Sequence, residues 1–583
     1  AQEIRLLAAL NMDYKISKAF TYRFRFGGDY RKKERSFWFG TALLKGKAPN
    51  GLAGLSTLNR FRYNVDNTLM FRKSFNKNSR VNATVGALID KTSIKRTRYS
   101  AADFADKSLR ADGISFGGTN TPLVIDSEFP TIVSFIGRVN YTLFNRYLFT
   151  GTFRADGSSK FSPGNQWGYF PALSFAWKAK EESFLKNSET ISDLKFRLGY
   201  GEVGNQNIPA YSYLTPFGAT EAALSDASGG NLIAVVPSNL ANPDLRWETS
   251  IQYNAGIDFG FFNNRLTGTV DAYHKTSSDL LLNVALGPTA GFDFITANQG
   301  DIENKGLEFS LNADIINKEN VRWNVFGNVS FNRNKITDLG EILPAEFGDL
   351  GQQTAFTGTQ VAGGTFFKQP ANIFIKGREA GLFYGLETNG IIRTDEQLTN
   401  TDSGDPLKYK GTDMRVGDVL FVDQNGDGDI TDADKTIIGN PNPDFTFGFG
   451  SSFEYKDFSL GLMFNGVYGN DIANGNIFET GYANNTTRNV RSVAYNDAFD
   501  AVNNPNGNYP SVGVGGIGTN YTTEFNDRSV EDGSFLRLSY VTLAYNIPVK
   551  ETKFFDSMKV TLSGQNLWLL TDYTGFDPEV NSF

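Results

Sequence analysis

The sequence TSIQYNAGIDFGF, residues 249–261, alternates between apolar and polar side chains at nearly every position. Successive side chains of a β-strand point to opposite faces, so residues two apart share a face. The polar face of this segment carries Gln, Asn and Asp side chains. The apolar face carries Ile251, Tyr253, Ala255, Ile257 and Phe259. The segment is therefore predicted to be a strand with one face in an oily environment and the other in a wet one.

The same alternation recurs along most of the chain, and it predicts about 18 strands. Two of them, at residues 372–378 and 380–393, alternate more weakly than the others. The stronger ones are residues 3–14, 19–30, 56–75, 81–98, 131–142, 147–155, 168–178, 192–204, 246–261, 264–277, 298–315, 321–336, 444–455, 458–467, 532–546 and 557–567.

Short turns and long connections alternate between these strands, as they do in outer-membrane barrels. A sheet in lipid has to close, because lipid offers no partners for unpaired backbone groups. The predicted fold class is an all-β, antiparallel, up-and-down transmembrane β-barrel with short periplasmic turns and long extracellular loops. A soluble propeller or stacked sandwich is the alternative, and the strand lengths argue against it. The long connections are residues 31–55, 99–130, 205–245, 337–371, 394–443 and 468–531.

Composition excludes several classes of function. The net charge of −7 offers no basic footprint for nucleic acid. The chain has no cysteine and one histidine, His274, so thiolate metal sites are impossible and His-based catalysis has little support. We expect His274 to lie at a membrane interface. Paired carboxylates such as Glu181–Glu182 are explained by a solvated turn better than by glycosidase chemistry. The chain is predicted not to be an enzyme.

One segment carries metal-ligand spacing. Residues 423–434 read DQNGDGDITDAD, with acidic or amide side chains at loop positions 1, 3, 5 and 12 and glycine at position 6. This is the spacing of an EF-hand-type loop for Ca²⁺, with Mg²⁺ as the less suitable ion and an ion-free polar turn as the alternative. The flanks lack helical signals, so the ion is predicted to be structural. The predicted ligands are Asp423, Asn425, Asp427 and Asp434 through their side chains, and Asp429 through its backbone carbonyl.

Aromatic residues fall into two predicted groups. Tryptophans near strand ends are expected at the membrane interface, where aromatic girdles form; they are Trp38, Trp167, Trp247 and Trp323. Aromatic residues in the long connections are candidates for stacking on sugars, with an ordinary structural role as the alternative for each. These candidate substrate contacts are Tyr211, Tyr213, Phe217, Phe356, Phe366 and Phe367.

Several long segments resemble one protein family. They include TFRADGSSKFSPGNQWGYFPALSFAWKAKEESFL (152–185), ISDLKFRLGYGEVGNQNIPAYSY (191–213), NKGLEFSL (304–311), GDVLFVDQNGDGDITDADKTIIGNPNPDFTFGF (417–449), DGSFLRLSYVTLAYNIP (532–548) and GQNLWLLTDYTGFDPEV (564–580). In this order they resemble the barrel of SusC/RagA-like TonB-dependent outer-membrane transporters of Bacteroidota.

The resemblance implies a Gram-negative outer-membrane location, among lipid and lipopolysaccharide, and a barrel of 22 strands around an N-terminal plug domain. It also implies a SusD-like surface lipoprotein that covers the barrel, and uptake of oligosaccharides or peptides driven by TonB–ExbB–ExbD through the plug. Residues 1–583 are interpreted as part of the receptor barrel, with the metal loop inside 417–443. The plug and the terminal strands are expected to lie outside this sequence.

Two other functions stay open from the sequence. One is a siderophore or vitamin receptor of the same superfamily that works without a lid, which the DGSSKF and NGDGDI segments disfavour. The other is a structural or secretion-associated outer-membrane barrel that does not transport.

Overall fold

The computed structural model describes residues 2–121, 123–215, 217–225, 231–237, 240–286, 288–292, 294–340, 355–357, 371–399, 404–480, 489–511, 524–549, 555 and 557–579. Across these ranges, none of the helices has both the length and the apolar composition needed to span a membrane.

Antiparallel strands in a large sheet dominate the described residues. The predicted strand at 246–261 is confirmed as Glu248–Phe261. The long strands, numbered here in chain order, are β1 Gln2–Lys15, β2 Phe20–Phe39, β3 Leu52–Asn76, β4 Ser79–Ala102, β5 Thr131–Leu143, β6 Tyr147–Ser158, β7 Trp167–Lys178, β8 Ile191–Asn205, β9 Glu248–Phe261, β10 Leu266–Ser278, β11 Asp301–Lys318, β12 Val321–Asp338, β13 Phe445–Tyr455, β14 Phe458–Tyr468, β15 Phe535–Ile547 and β16 Met558–Thr571.

The first compact unit comprises residues 1–181, 197–253 and 277–299. Here β1 to β7 form an antiparallel meander in which each strand pairs with the next one along the chain. Residues 144–146 connect β5 to β6 in a tight hairpin, in which Phe144 and Asn145 adopt positive φ angles of 52° and 57°. Apolar side chains such as Val85, Val139 and Phe153 are exposed along one face. Such an exposed row suits a strand whose apolar side meets lipid.

The second compact unit comprises residues 182–196, 254–276 and 300–583. The strands β11 to β16 pair in chain order in a second antiparallel meander. Aromatic rings pack across it; the rings of Phe449 on β13 and Phe464 on β14 stack with centroids 4.9 Å apart. The paired residues of a strand register bring such side chains together, and their contact stabilises the pairing.

Two of the 18 predicted strands do not become strands of the large sheet. Residues 372–378 and 380–393 instead contain three short strands, Asn372–Ile375, Leu382–Leu386 and Thr388–Ile391, which belong to separate small sheets. Ile373, Ile375 and Leu382 are buried in a small apolar cluster. Their alternation reflects burial inside a folded connection rather than contact with lipid.

The remaining elements lie in the connections. The other short strands are Thr119–Asn120, Val124–Glu128, Phe217–Ser225, Asn231–Pro237, Leu281–Ala285, Phe294–Asn298, Ala355–Thr357, Lys408–Tyr409, Thr412–Asp413, Val419–Phe421, Asp429–Ile430, Lys435–Gly439, Asp471–Ala473 and Val530–Asp532. The α-helices are Leu44–Lys47, Gly475–Thr480 and Ser492–Asn496; the 3₁₀ turns are Arg110–Phe116, Ala179–Glu181, Pro288–Ala290, Asp395–Leu398, Asp432–Asp434 and Asp527–Ser529.

Candidate metal loop and ligand-contacting residues

The candidate metal loop sits in a folded connection that we call the connection subdomain, residues 371–399 and 404–443. It has its own core, which also takes in Phe499 from a later connection. A buried core of this kind gives a connection a fixed shape, because each apolar side chain removed from water stabilises the fold. The core residues are Leu386, Ile391, Ile392, Leu407, Tyr409, Met414, Val419, Phe421, Ile430 and Phe499.

Short strands hold both ends of the metal loop. The strand Val419–Phe421 enters it and pairs with Thr388–Ile391. Within the loop, Asp429–Ile430 pairs with Lys408–Tyr409 in parallel, and Ile430 is fully buried. The strand Lys435–Gly439 leaves the loop. The loop is therefore fixed at its entry, at its middle and at its exit, and its flanks are extended, as predicted.

Asp423 occupies loop position 1 and organises the turn that follows. Its Oδ1 accepts a hydrogen bond from the Gly426 backbone N–H at 2.7 Å, and its Oδ2 accepts one from the Gly428 N–H at 2.7 Å. Gly426 and Gly428 have φ angles of 76° and 84°. Glycine adopts this left-handed region without a steric cost, which explains both glycines in the motif.

The middle of the loop uses Asn425, Asp427 and Asp429. The Asn425 Nδ2 donates to Asp427 Oδ2 at 2.9 Å, and the Asp429 N–H donates to Asp427 Oδ1 at 2.8 Å. The Asp429 carboxylate accepts from the Gly411 N–H at 2.9 and 3.0 Å. The Asp429 side chain therefore braces the subdomain, which leaves its backbone carbonyl as the group available to an ion.

Asp434, at loop position 12, is fully buried. Its Oδ2 accepts from the Thr431 N–H at 2.7 Å and its Oδ1 from the Gln424 N–H at 3.0 Å. Burial raises the pKa of this carboxyl and the Asp423 charge adds to the rise, while backbone N–H groups from Thr431, Gln424 and Asn425 oppose it. A carboxylate at this depth needs positive charge or several donors nearby.

The loop thus brings the predicted ligands onto one turn, with backbone N–H groups bonded to their oxygens. Throughout the described ranges, no three acidic, histidine or cysteine side chains converge in the way that would hold a metal ion. The donor set, which is hard oxygen from carboxylates, one amide and one carbonyl, is the chemistry that Ca²⁺ selects.

A buried carboxylate that no sequence pattern predicts lies beside the metal loop. Glu524 is 2% exposed, and its Oε1 lies 2.6 Å from the Lys410 Nζ while its Oε2 lies 3.4 Å from the Lys435 Nζ. Lys435 also pairs with Asp432 at 2.9 Å. Burial, together with the Glu524 charge, raises the pKa of Tyr409. The network ties the segment around Glu524 to the loop.

The aromatic candidates lie in different environments. Tyr211 has a φ angle of 67°, and its hydroxyl accepts from the Phe129 N–H at 3.3 Å. Tyr213 packs against a buried cluster, whereas Phe217 is exposed at the start of its strand. Phe356 lies in the short strand Ala355–Thr357. Phe366 and Phe367 lie outside the described residues. Substrate contact stays a prediction for all of them.

Trp247 is not a membrane-interface residue, contrary to the expectation from its place near a strand end. Its indole is 7% exposed, packs at 5.3 Å from the Phe161 ring and 5.4 Å from the Phe170 ring, and donates from Nε1 to the Gln166 carbonyl at 2.9 Å. Lys160 caps this cluster by donating to the Ile208 carbonyl at 2.7 Å. The DGSSKF motif is thus part of a buried core that folds the connections of the first unit.

His274 on β10 lies within hydrogen-bond distance of a carboxylate. Its Nε2 lies 2.9 Å from Glu303 Oε2, and Glu303 also pairs with Lys305 at 2.6 Å.

Comparison with known proteins identifies the family. Residues 5–567 match the family described as "TonB dependent receptor-like, beta-barrel". The chain belongs to the TonB-dependent receptor family. The TonB-dependent receptor P3 of Formosa agariphila is 32% identical over 583 residues, which cover 97% of this chain and 54% of the relative. The TonB-dependent receptor SusC of Bacteroides thetaiotaomicron is 34% identical over 464 residues, which cover 78% of this chain and 42% of that protein.

Among solved structures, the one titled "Structure of the RagAB peptide transporter" aligns with a TM-score of 0.80 at 23% identity, over 100% of this chain and 60% of that one. The predicted SusC/RagA-like resemblance and the predicted all-β fold are therefore confirmed. This TonB-dependent receptor is an outer-membrane protein of the Bacteroidota type, and its family is one of receptors and transporters, not of enzymes. The chain spans about half the length of P3 and of a second relative from Formosa agariphila, the TonB-dependent receptor P26.

Proposed function

We propose that the full-length protein is an outer-membrane importer of large nutrients, oligosaccharides or peptides. In this proposal it works with a SusD-like surface lipoprotein and draws its energy from TonB–ExbB–ExbD. The observation that carries the proposal is the match of nearly the whole chain to a receptor-barrel family that includes SusC. The alignment with a structure titled as a peptide transporter favours peptides as well as oligosaccharides as the substrate class to be tested.

The folded connections support a role in recognition. The connection subdomain has a buried core and fixed sheets, and the connections of the first unit are held by a second core around Trp247. Binding residues are more effective when a rigid scaffold positions them, because less conformational entropy is lost on binding. Connections that served only to join strands would not need cores of their own.

Uptake measurements test the import proposal. A strain lacking the gene should lose uptake of one pool of labelled oligosaccharides or peptides and regain it with the full-length gene. A protonophore should abolish the same uptake in the parent strain, since TonB-driven import uses the proton gradient. If the uptake of every pool survives both the deletion and the protonophore, the import proposal is contradicted and a structural barrel is favoured. Import that persists when no surface lipoprotein co-purifies with the protein would favour the receptor without a lid.

We also propose that the loop 423–434 binds a structural Ca²⁺. Asp423, Asn425, Asp427 and Asp434 would hold it through side-chain oxygens, and Asp429 through its carbonyl. Two features support the proposal: the fully buried Asp434 carboxylate lies in a turn shared with Asp423, and the two glycines give the loop the required left-handed angles. A bound divalent cation would offset the cost of burying this negative charge.

Metal analysis of the full-length protein tests this site. Replacing Asp423 and Asp427 together by Ala should remove one bound calcium per chain and loosen residues 411–443, which hydrogen exchange would report. Replacing the exposed Asp395 by Ala is the matched control, because it removes an acid from the same subdomain outside the loop. Unchanged calcium content in the double variant would show that the loop is a turn without an ion, whatever its exchange, because the variant also removes hydrogen bonds within the turn.

A further inference from the structure

The polar face of the first unit carries arginines that pair with carboxylates across neighbouring strands. Arg23 pairs with Asp13 at 2.6 Å, and Arg62 pairs with Asp90 at 2.6 Å. Asp29 serves both Arg5 at 3.1 Å and Arg60 at 2.8 Å. Such pairing is expected, because like charges placed side by side on a sheet repel one another.

Three arginines at the short-turn end of the same face break this pattern. Arg72 on β3, Arg80 on β4 and Arg138 on β5 are exposed, and each lacks a carboxylate partner in the part of the chain that the structure describes. Arg72 lies opposite Asn82 in the register, and Thr84, two residues further along β4, lies opposite Arg138. Arg80 precedes Asn82 by two residues on the same face. The three cationic side chains therefore surround one asparagine.

These residues line a pocket of about 670 Å³. Asn140, which also lines it, receives a hydrogen bond on Oδ1 from the Thr150 hydroxyl at 2.9 Å, so its amide N–H groups are directed to other partners. Asn82 and Thr84 add further polar groups to the wall. Guanidinium groups hold carboxylate, sulfate and phosphate by paired hydrogen bonds, which makes arginine the usual residue of oxyanion sites.

We propose that this pocket binds a carboxylate or a tetrahedral oxyanion, held between the guanidinium groups of Arg72, Arg80 and Arg138. The anion has one of two sources. It is a carboxylate of the full-length protein outside this chain, or it belongs to a molecule that enters the barrel. Both sources present the same chemistry to the pocket, and either one removes the repulsion among the three arginines.

Two arms of one experiment separate the sources. The first is a structure of the full-length protein without added oxyanion, in which a carboxylate of the protein within hydrogen-bond distance of two of the guanidinium groups would assign the internal source. The second is a crystal of the same protein soaked in selenate, whose anomalous peak in the pocket would assign a site open to ligands. Neither carboxylate nor selenate in the pocket would overturn the proposal.

Variants confirm that the arginines hold the anion. If the pocket is open to selenate, Arg72→Gln and Arg138→Gln should each weaken selenate binding by about tenfold, the effect of losing one charge-assisted hydrogen bond. Lys77→Gln is the matched control, because Lys77 lies in the neighbouring β3–β4 turn and does not line the pocket. Equal loss of binding in Lys77→Gln would reduce the site to general electrostatic attraction and overturn the proposal. Anion binding is measured without transport, so its failure leaves the import proposal intact.

Discussion

Replacing Glu524 by Ala should loosen the connection subdomain selectively. Glu524 is 2% exposed and contacts Lys410 and Lys435. Removing one partner of a buried ion pair typically costs about 3–5 kcal/mol, because the other charge stays buried without compensation. Here two features reduce that cost. The Lys410 side chain is 42% exposed, and Asp432 remains 2.9 Å from the Lys435 Nζ. We therefore expect a loss of about 2–3 kcal/mol in local stability.

Hydrogen–deuterium exchange of the full-length protein in detergent or nanodiscs measures this loss. Where exchange follows local opening, a decrease of about 2–3 kcal/mol in the free energy of opening speeds exchange about 30- to 150-fold. The effect should appear in residues 407–411 and 429–435, which the network joins, and not in β11 to β14. Asp395→Ala is the control, because Asp395 is an exposed acid of the same subdomain.

The double variant Glu524→Ala with Lys410→Ala refines the test. If the buried pair is the source of the effect, the double variant should lose less stability than the sum of the two single variants, since each single variant already removes the Lys410–Glu524 contact. Exchange in Glu524→Ala within about threefold of the parent protein would refute the assignment. It would mean that the apolar core alone holds the subdomain.

Two further substitutions test the packing. Gly385→Ala should destabilise the subdomain by about 1–3 kcal/mol, because the added Cβ would stand 2.3 Å from the Phe525 carbonyl oxygen. Gly461→Ala is the control, because its added Cβ meets nothing within 4 Å. Equal exchange rates in the two variants would contradict the predicted clash. Trp247→Ala should lower the free energy of unfolding by about 3–5 kcal/mol and speed exchange in residues 158–170. Trp167 is 45% exposed, so Trp167→Ala should leave those exchange rates unchanged. Protection from exchange that survives in Trp247→Ala would contradict the place of Trp247 in the core.

The long strands could be predicted because lipid on one face imposes a period of two on the sequence. The predicted strand 3–14 is Gln2–Lys15 in the structure, and 444–455 is Phe445–Tyr455. The prediction failed where that constraint ends. The strand predicted at 19–30 continues to Phe39, although residues 31–35 read RKKER. Over this charged segment the strand is sustained by backbone pairing with β3, and as far as Glu34 also with β1, without an apolar face.

The same period misleads where a connection folds on itself. Residues 372–378 alternate because Ile373 and Ile375 are buried in a small cluster, not because they meet lipid. A side chain that faces a protein core and one that faces hydrocarbon are equally apolar, so periodicity cannot distinguish them. Proximity to a strand end, which places Trp247 at the membrane interface in the sequence analysis, has the same weakness, because Trp247 is buried among Phe161 and Phe170.

Separation along the chain explains which parts of the candidate site could be predicted from the sequence. The hydrogen bonds between residues of the metal loop itself join positions close in the chain, such as Gln424 and Asp434, which are 10 apart, so a spacing rule captures them. The contact between Lys410 and Glu524 joins residues 114 apart. No local pattern marks a charge that becomes buried only when two distant connections meet. Since Asp432 belongs to both the loop and this network, the part that spacing predicts is held in place by a part that it does not.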